Sequence, residues 1–174
     1  TPTLGATSTT TVGYTAATVG VQRLIQAVPE LAKVANVSGE QVFQIASENM
    51  TNEHWLTLGK RVNALLAQPN VDGIVITHGT DTLEETAYFL HAVLQPTKPV
   101  AITCAMLPAN APDSDGPANL KEALAWAQAS DSHGVFVVCA GQVHPGEAVQ
   151  KSHSHQRNPF TSQTPVAPPA FLRV

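Results

Sequence analysis

Four short apolar runs recur along this chain at intervals of about thirty residues, with helix-like stretches between them, and that rhythm limits the fold more than anything else. The runs are 41–46, 71–77, 99–105 and 134–140. The last is continuously apolar, and the last three are all rich in β-branched residues, as strands buried in a parallel sheet are. Between them, apolar residues fall at helical spacing. The stretch 19–35 (Val21, Leu24, Ile25, Val28, Leu31, Val34) predicts a helix disturbed at Pro29. Residues 52–67 place Trp55, Leu58, Val62, Leu65 and Leu66 on one face. Residues 82–95 form a third helix, with Thr82 and Glu85 as a capping box. The fourth spans 117–129, with Pro117 in its first turn. The expected class is α/β, a parallel sheet flanked by helices and built from βαβ units. Right-handed crossovers then bring every strand's carboxyl end to one edge.

At 174 residues the chain can form one domain with a sizeable core. Charged residues make up 13% of it, below the usual quarter or so, while 43% are hydrophobic. A net charge of −4 gives no reason to expect a nucleic acid or an anionic membrane as partner. No apolar run is long enough to span a bilayer, and no signal-peptide pattern is read at the start. Cys104 and Cys139 each lie in an apolar run and read as buried free thiols. The compartment stays open between cytoplasm and periplasm.

The common edge collects the polar chemistry. Run 41–46 delivers Ser47-Glu48-Asn49-Met50, and run 71–77 delivers His78-Gly79-Thr80-Asp81. Run 99–105 delivers Met106 and the loop through Asp115-Gly116-Pro117; run 134–140 delivers Gly141-Gln142, with Lys151 further on. Open α/β sheets bind their ligands at this edge. Gly79 lets the backbone approach a ligand closely. A threonine hydroxyl needs a base to become a nucleophile, and a desolvated lysine can serve as one. A neighbouring aspartate orients that lysine or pairs with a substrate ammonium group.

The run 73–90, Gly-Ile-Val-Ile-Thr-His-Gly-Thr-Asp-Thr-Leu-Glu-Glu-Thr-Ala-Tyr-Phe-Leu, resembles the second signature of the bacterial L-asparaginase/glutaminase family. Other stretches agree in order: Tyr14 with Val19-Gly20-Val21, Ala27-Val28-Pro29-Glu30-Leu31, Ala46-Ser47-Glu48-Asn49-Met50, and Lys98-Pro99-Val100. Ala105-Met106-Leu107-Pro108, Asp115-Gly116-Pro117-Ala118-Asn119-Leu120 and Val149-Gln150-Lys151 complete the set. The resemblance runs from residue 14 to about 162 and implies an amidohydrolase that converts asparagine, and often glutamine, to the acid and ammonia without metal or organic cofactor. It implies that Thr80 is the second catalytic threonine, with Lys151 as its proton-handling partner and Asp81 beside it. Asp81 would also bind the substrate's α-amino group, and Ser47 its α-carboxylate. Glu48 would occupy a substrate-binding position that is Gln or Glu in relatives, and the backbone of Ala105 would lie near the side-chain amide. Tyr14 would belong to a lid that closes on the substrate, so 1–18 reads as a mobile lid loop. A homo-oligomer, a tetramer in relatives, is the implied assembly.

The chain also departs from the family pattern. Relatives begin with an apolar strand ending in Thr-Gly-Gly-Thr-Ile, whose last threonine is acylated; that strand, in the middle of the sheet, is missing here. Counting back from Tyr14 puts Thr1 about where the nucleophile belongs, although Pro2-Thr3 follows instead of Ile-Ala, and Thr3 is the nearest substitute. Cys104 replaces a glycine and Leu107 an arginine. The asparaginase-like α/β domain is expected over 1–162, and 163–174 reads as a proline-rich tail in place of a second domain. The chain therefore reads as truncated relative to a functional enzyme, or as a degenerate copy that binds small amino acids or acts only in assembly.

Plainer readings stand beside these. Thr80-Asp81 would serve as a helix N-cap, Ser47-Glu48 as a strand-to-helix turn, and Lys151 as a surface lysine. Tyr14 would be an ordinary loop residue, and His78 a structural hydrogen-bonder. His144, His153 and His155 read as a polar loop, since His-Ser-His lacks a well-placed third metal ligand. No Gly-rich phosphate loop follows any strand, and an N-terminal-nucleophile hydrolase would need a β-sandwich pattern that is absent.

Overall fold

The protein, seen in a computed structural model, is described over residues 19–128, 133–163 and Val166. The apolar runs form β1 (Ile74–Thr77), β2 (Pro99–Thr103) and β3 (Gly134–Cys139), adjacent and parallel, with Ile76 opposite Ile102 and Ile102 opposite Val137. A fourth strand, β4 (Gln142–Pro145), returns antiparallel to β3. This hairpin is absent from the sequence expectation. Its two-residue turn is Ala140-Gly141, with φ of 52° and 72°, the positive-φ pair that a tight hairpin requires.

Helices cover both faces. The chain crosses through α1 (Val21–Gln26), α2 (Leu31–Val34), α3 (Asn52–Leu66), α4 (Leu83–Val93) and α5 (Gly116–Ala127). Leu83, Ala87 and Leu90 of α4 pack with Val100, Ile102, Val135 and Val137 on one face. Ala123, Trp126 and Ala127 of α5 meet Ala101, Val138 and Val143 on the other. Strand β2 is buried along its whole length, and each large aliphatic side chain so buried contributes about 1.5–3 kcal/mol. The continuous apolar run is thus explained: neither face meets water.

Local chemistry sets the boundaries. The expected first helix divides into α1 and α2, with Pro29 between them. Helix α3 starts where Thr51 Oγ1 accepts the His54 N–H at 3.4 Å and His54 Nδ1 accepts the Thr51 N–H at 3.1 Å. The capping box expected at Thr82 does not form; its hydroxyl donates instead to the Ser47 carbonyl at 2.8 Å. A short ribbon of β5 (Gln150–Lys151) and β6 (Phe160–Thr161) stands apart from the main sheet. Val166, within the expected proline-rich tail, bridges Val143 through a 3.0 Å hydrogen bond from its N–H to the Val143 carbonyl.

One expected strand is not a strand. Residues 41–46 join no ladder among the described residues. A cavity of about 320 Å³ lies between them and β1, lined by Val42, Phe43 and Ile45 on one side and Ile74, Val75 and Ile76 on the other. The gap denies ladder bonds to both walls, so the outer edge of β1 has no strand beside it among the described residues.

Candidate functional site

At the carboxyl end of β1 the chain runs through Gly79-Thr80-Asp81 into α4. Thr80 is fully buried. The Lys151 ammonium, arriving on β5, donates to Thr80 Oγ1 at 3.0 Å and to Asp81 Oδ1 at 2.6 Å. Residues 71 and 70 positions apart thus share one lysine head. Glu84, in the first turn of α4, accepts the Lys151 backbone N–H and pins the strand that presents it. Glu84 was not singled out by sequence; an acidic residue in a helix's first turn ordinarily signals only a favourable dipole.

Ser47 opens a 3-10 turn, Ser47–Asn49, at the end of the 41–46 segment. It is buried, and its Oγ accepts the Asp81 N–H at 3.2 Å while its carbonyl accepts the Thr82 hydroxyl. Used as an acceptor, the Ser47 hydroxyl keeps its proton to offer to an anion. Glu48, next to it, is exposed at the same rim. On the other side, His78 N–H donates to the Thr103 carbonyl at 2.9 Å, which continues the β1–β2 register past Thr77–Thr103 and brings Gly79 level with Ala105. The structure thereby gathers Ser47, Gly79, Thr80, Asp81, Ala105 and Lys151 at one rim, with Glu48 at its margin. Thr1 and Tyr14 lie outside the described residues.

Beneath the rim lies a polar relay. His78 Nδ1 meets the Gly79 carbonyl at 2.7 Å, and its Nε2 meets Thr86 Oγ1 at 3.0 Å. Trp55 Nε1–H donates to the same Thr86 oxygen at 2.8 Å. The carbonyl can only accept, so we assign the proton to Nδ1. Burial pushes the His78 pKa down, against a smaller upward pull from its bond to Gly79. The neutral ring fits that assignment, and His78 acts as the structural hydrogen-bonder read from sequence. Cys104 and Cys139 are buried free thiols whose sulfurs lie 3.4 Å apart. The hydrogen bond to Cys139, then burial, holds the Cys104 thiol well above its usual pKa.

His144 is buried against Ser162 Oγ at 2.9 Å, whereas His153 and His155 are exposed. Among the described residues no group of three or more His, Cys, Asp or Glu is placed to hold a metal ion. No helix among them is long and apolar enough to cross a membrane. Chemically, a buried hydroxyl in contact with a lysine amine, beside a carboxylate and a serine, suits proton transfer to or from a small ligand that carries its own charges.

Residues 2–169 match the family described as "Asparaginase, N-terminal". The glutaminase-asparaginase of Pseudomonas fluorescens biotype A is 47% identical over 160 residues, covering 91% of this chain and 44% of that protein. L-asparaginase 2 of Bacillus subtilis is 46% identical over 157 residues, covering 89% and 42%. Among solved structures, a probable cytoplasmic L-asparaginase from Campylobacter jejuni superposes with a TM-score of 0.89 at 39% identity, over 92% of this chain and 50% of that one. The chain therefore spans half or less of the length of each of these relatives.

Proposed function

This chain belongs to the asparaginase family, matching its N-terminal domain, and from that premise we propose that it carries the reaction centre of an amidohydrolase. The substrate is L-asparagine, with L-glutamine as a second, and the products are the corresponding acid and ammonia. The single observation that carries this reading is the Lys151 ammonium shared between Thr80 Oγ1 at 3.0 Å and Asp81 Oδ1 at 2.6 Å.

The chemistry is acyl transfer through a threonine. A threonine oxygen bonds to the side-chain amide carbon, the proton given up by its hydroxyl passes to the amide nitrogen, and the C–N bond breaks to release ammonia. Thr1 is the proposed acylated residue, with Tyr14 closing over it. Water then attacks the resulting ester; its proton passes through Thr80 Oγ1 to Lys151 when that amine holds two protons rather than three. The acid is released and the threonine hydroxyl restored. Backbone N–H groups at Gly79 and Thr80 stabilise the oxyanion of each step. Asp81 receives the α-ammonium group of the substrate, and the Ser47 hydroxyl donates to its α-carboxylate. Glu48 flanks the side chain, where it bears on the choice between asparagine and glutamine. Leu56, Tyr88 and Val93, large apolar side chains exposed on α3 and α4, support self-association, a tetramer being the proposed form.

Ammonia release from L-asparagine by the wild-type chain and by Thr80→Ala tests the proposal. The expected loss is about 10²–10⁴-fold, the usual worth of a positioned proton-transfer group. Binding of L-asparagine with no ammonia from the wild type would instead favour a pocket that holds small amino acids without turning them over.

A further inference from the structure

The segment 115–120 has no part in the chemistry above, yet its first turn grips the rim. Asp115 Oδ2 accepts the Met106 N–H at 2.9 Å, and Oδ1 accepts the Leu107 N–H at 2.9 Å. Asn119, one helical turn on and only 2% exposed, donates from Nδ2 to the Cys104 carbonyl at 3.0 Å and to Asp115 Oδ2 at 3.2 Å. Its Oδ1 accepts the Ala140 N–H at 3.0 Å. The two peptide groups that flank Ala105 are therefore both fastened to the start of α5: one through the Cys104 carbonyl, the other through the Met106 amide.

We propose that Asp115 is a positioning residue, seated by Asn119, which aims the Ala105 carbonyl at the leaving amide nitrogen of the substrate. This deepens the amidohydrolase reading and rests on it. In a trans peptide the N–H and the preceding C=O point in opposite directions. With the Met106 N–H held toward α5, the Ala105 carbonyl turns away from α5. The β1–β2 register pairs Thr77 with Thr103 and is extended by the His78 N–H to the Thr103 carbonyl; carried two residues on, it sets Ala105 level with Gly79, one residue from Thr80. No described residue donates to that carbonyl, so it stands available to accept from an –NH₂ group. A carboxylate suits the task because both of its oxygens take backbone N–H groups in charge-assisted bonds at a helix start, where the dipole favours negative charge.

The consequence is a specific one. A carbonyl aimed at nitrogen discriminates between an amide, which has N–H to donate, and an ester, which has none. The test compares L-asparagine with the β-methyl ester of L-aspartate in the wild type, Asp115→Ala and Asp115→Asn. In Asp115→Ala, kcat for the amide is expected to fall about tenfold further than kcat for the ester, as befits one misaimed hydrogen bond. Asp115→Asn keeps one acceptor oxygen and should recover part of the difference; it also carries the test should the alanine variant fail to fold. Where the wild type binds but does not turn over, the same amide-to-ester preference is read from Kd values by calorimetric titration. Equal losses for amide and ester would overturn this inference and leave the amidohydrolase reading intact. A wild type that neither binds nor cleaves either compound would overturn both.

Discussion

The two sides of β1 are built differently. On one side, β1, β2 and β3 run in unbroken register between α4 and α5, with Val100, Ala101, Ile102, Val137 and Val138 sealed from solvent. On the other, β1 faces a cavity whose far wall is the unpaired segment 41–46. Yet the site takes residues from both. Thr80 and Asp81 leave the end of β1, and Ser47 ends the far wall. Only at the rim do the two walls meet among the described hydrogen bonds, through the Asp81 amide to Ser47 Oγ and the Thr82 hydroxyl to the Ser47 carbonyl. Stability resides in the paired side, and the polar rim is tied across a gap that the backbone ladder does not close.

If that division holds, a change at the reactive rim should cost activity and little stability. Lys151→Met is expected to lower ammonia release about 10³-fold. The Lys151–Asp81 pair is partly exposed, at 16% and 33% for the two side chains, so the loss of stability should stay below about 1 kcal/mol. Kinetics together with a urea titration decide it: a loss of several kcal/mol would make Lys151 a structural residue. The converse comparison sets the two sides against each other. Ile102→Ala empties a fully buried position and should cost about 2–5 kcal/mol. Ile45→Ala, whose side chain is only half-buried beside the cavity, should cost less than about 1 kcal/mol because little packing is lost. Similar costs at both positions would mean that the far wall is as firmly packed as the sheet. Ser47→Ala is expected to cost about 0.5–1.5 kcal/mol of stability for the lost acceptor, while weakening L-asparagine binding measured by calorimetric titration.

What could be read in the sequence divides along the same line. The runs at 99–103 and 134–139 were legible because burial writes itself as an almost continuous apolar stretch, and 74–77, only partly buried, was legible by its Ile-Val-Ile. The helices between them were legible by period, and Pro29 by its missing donor. Residues 41–46 misled because β-propensity reports a residue's fit to a pleated surface, whereas a strand also needs a neighbour. The β4 hairpin was hidden because its turn, Ala140-Gly141, carries a non-glycine residue at positive φ. Thr82 and Glu85 looked like a capping box, but the nearby Ser47 carbonyl took the hydroxyl, a tertiary partner that no local pattern announces. The gathering of Ser47, Thr80, Asp81 and Lys151 followed from the shared strand edge and the family resemblance together. The grip of Asp115, Asn119 and Glu84 on backbone groups was invisible, since a side chain's backbone partner leaves no trace in sequence.

The smallest expected effect concerns two histidines, one partly buried at the end of β1 and one buried on β4. His78 lies under the end of β1 with both ring nitrogens engaged. His144 lies on β4, with Nδ1 at Ser162 and a buried Nε2 that has no hydrogen-bond partner among the described residues. Burial lowers the pKa of each below the ordinary 6.5. The sign follows from linkage: between the lowered folded value and 6.5 the unfolded chain binds more protons, so stability rises with pH across that window. It is full above 6.5 and is lost as pH falls from there through the folded values. Urea midpoints at pH 7.5 should therefore exceed those at pH 5.5. His144→Phe, which removes the titrating ring and its unpartnered nitrogen at the expense of one bond to Ser162, should flatten that dependence with little change at pH 7.5. His78→Phe should flatten it too, yet lower the midpoint at every pH, because Thr86 and the Gly79 carbonyl both lose a partner. An unchanged pH dependence in both variants would assign the acid sensitivity to carboxylates at the rim instead.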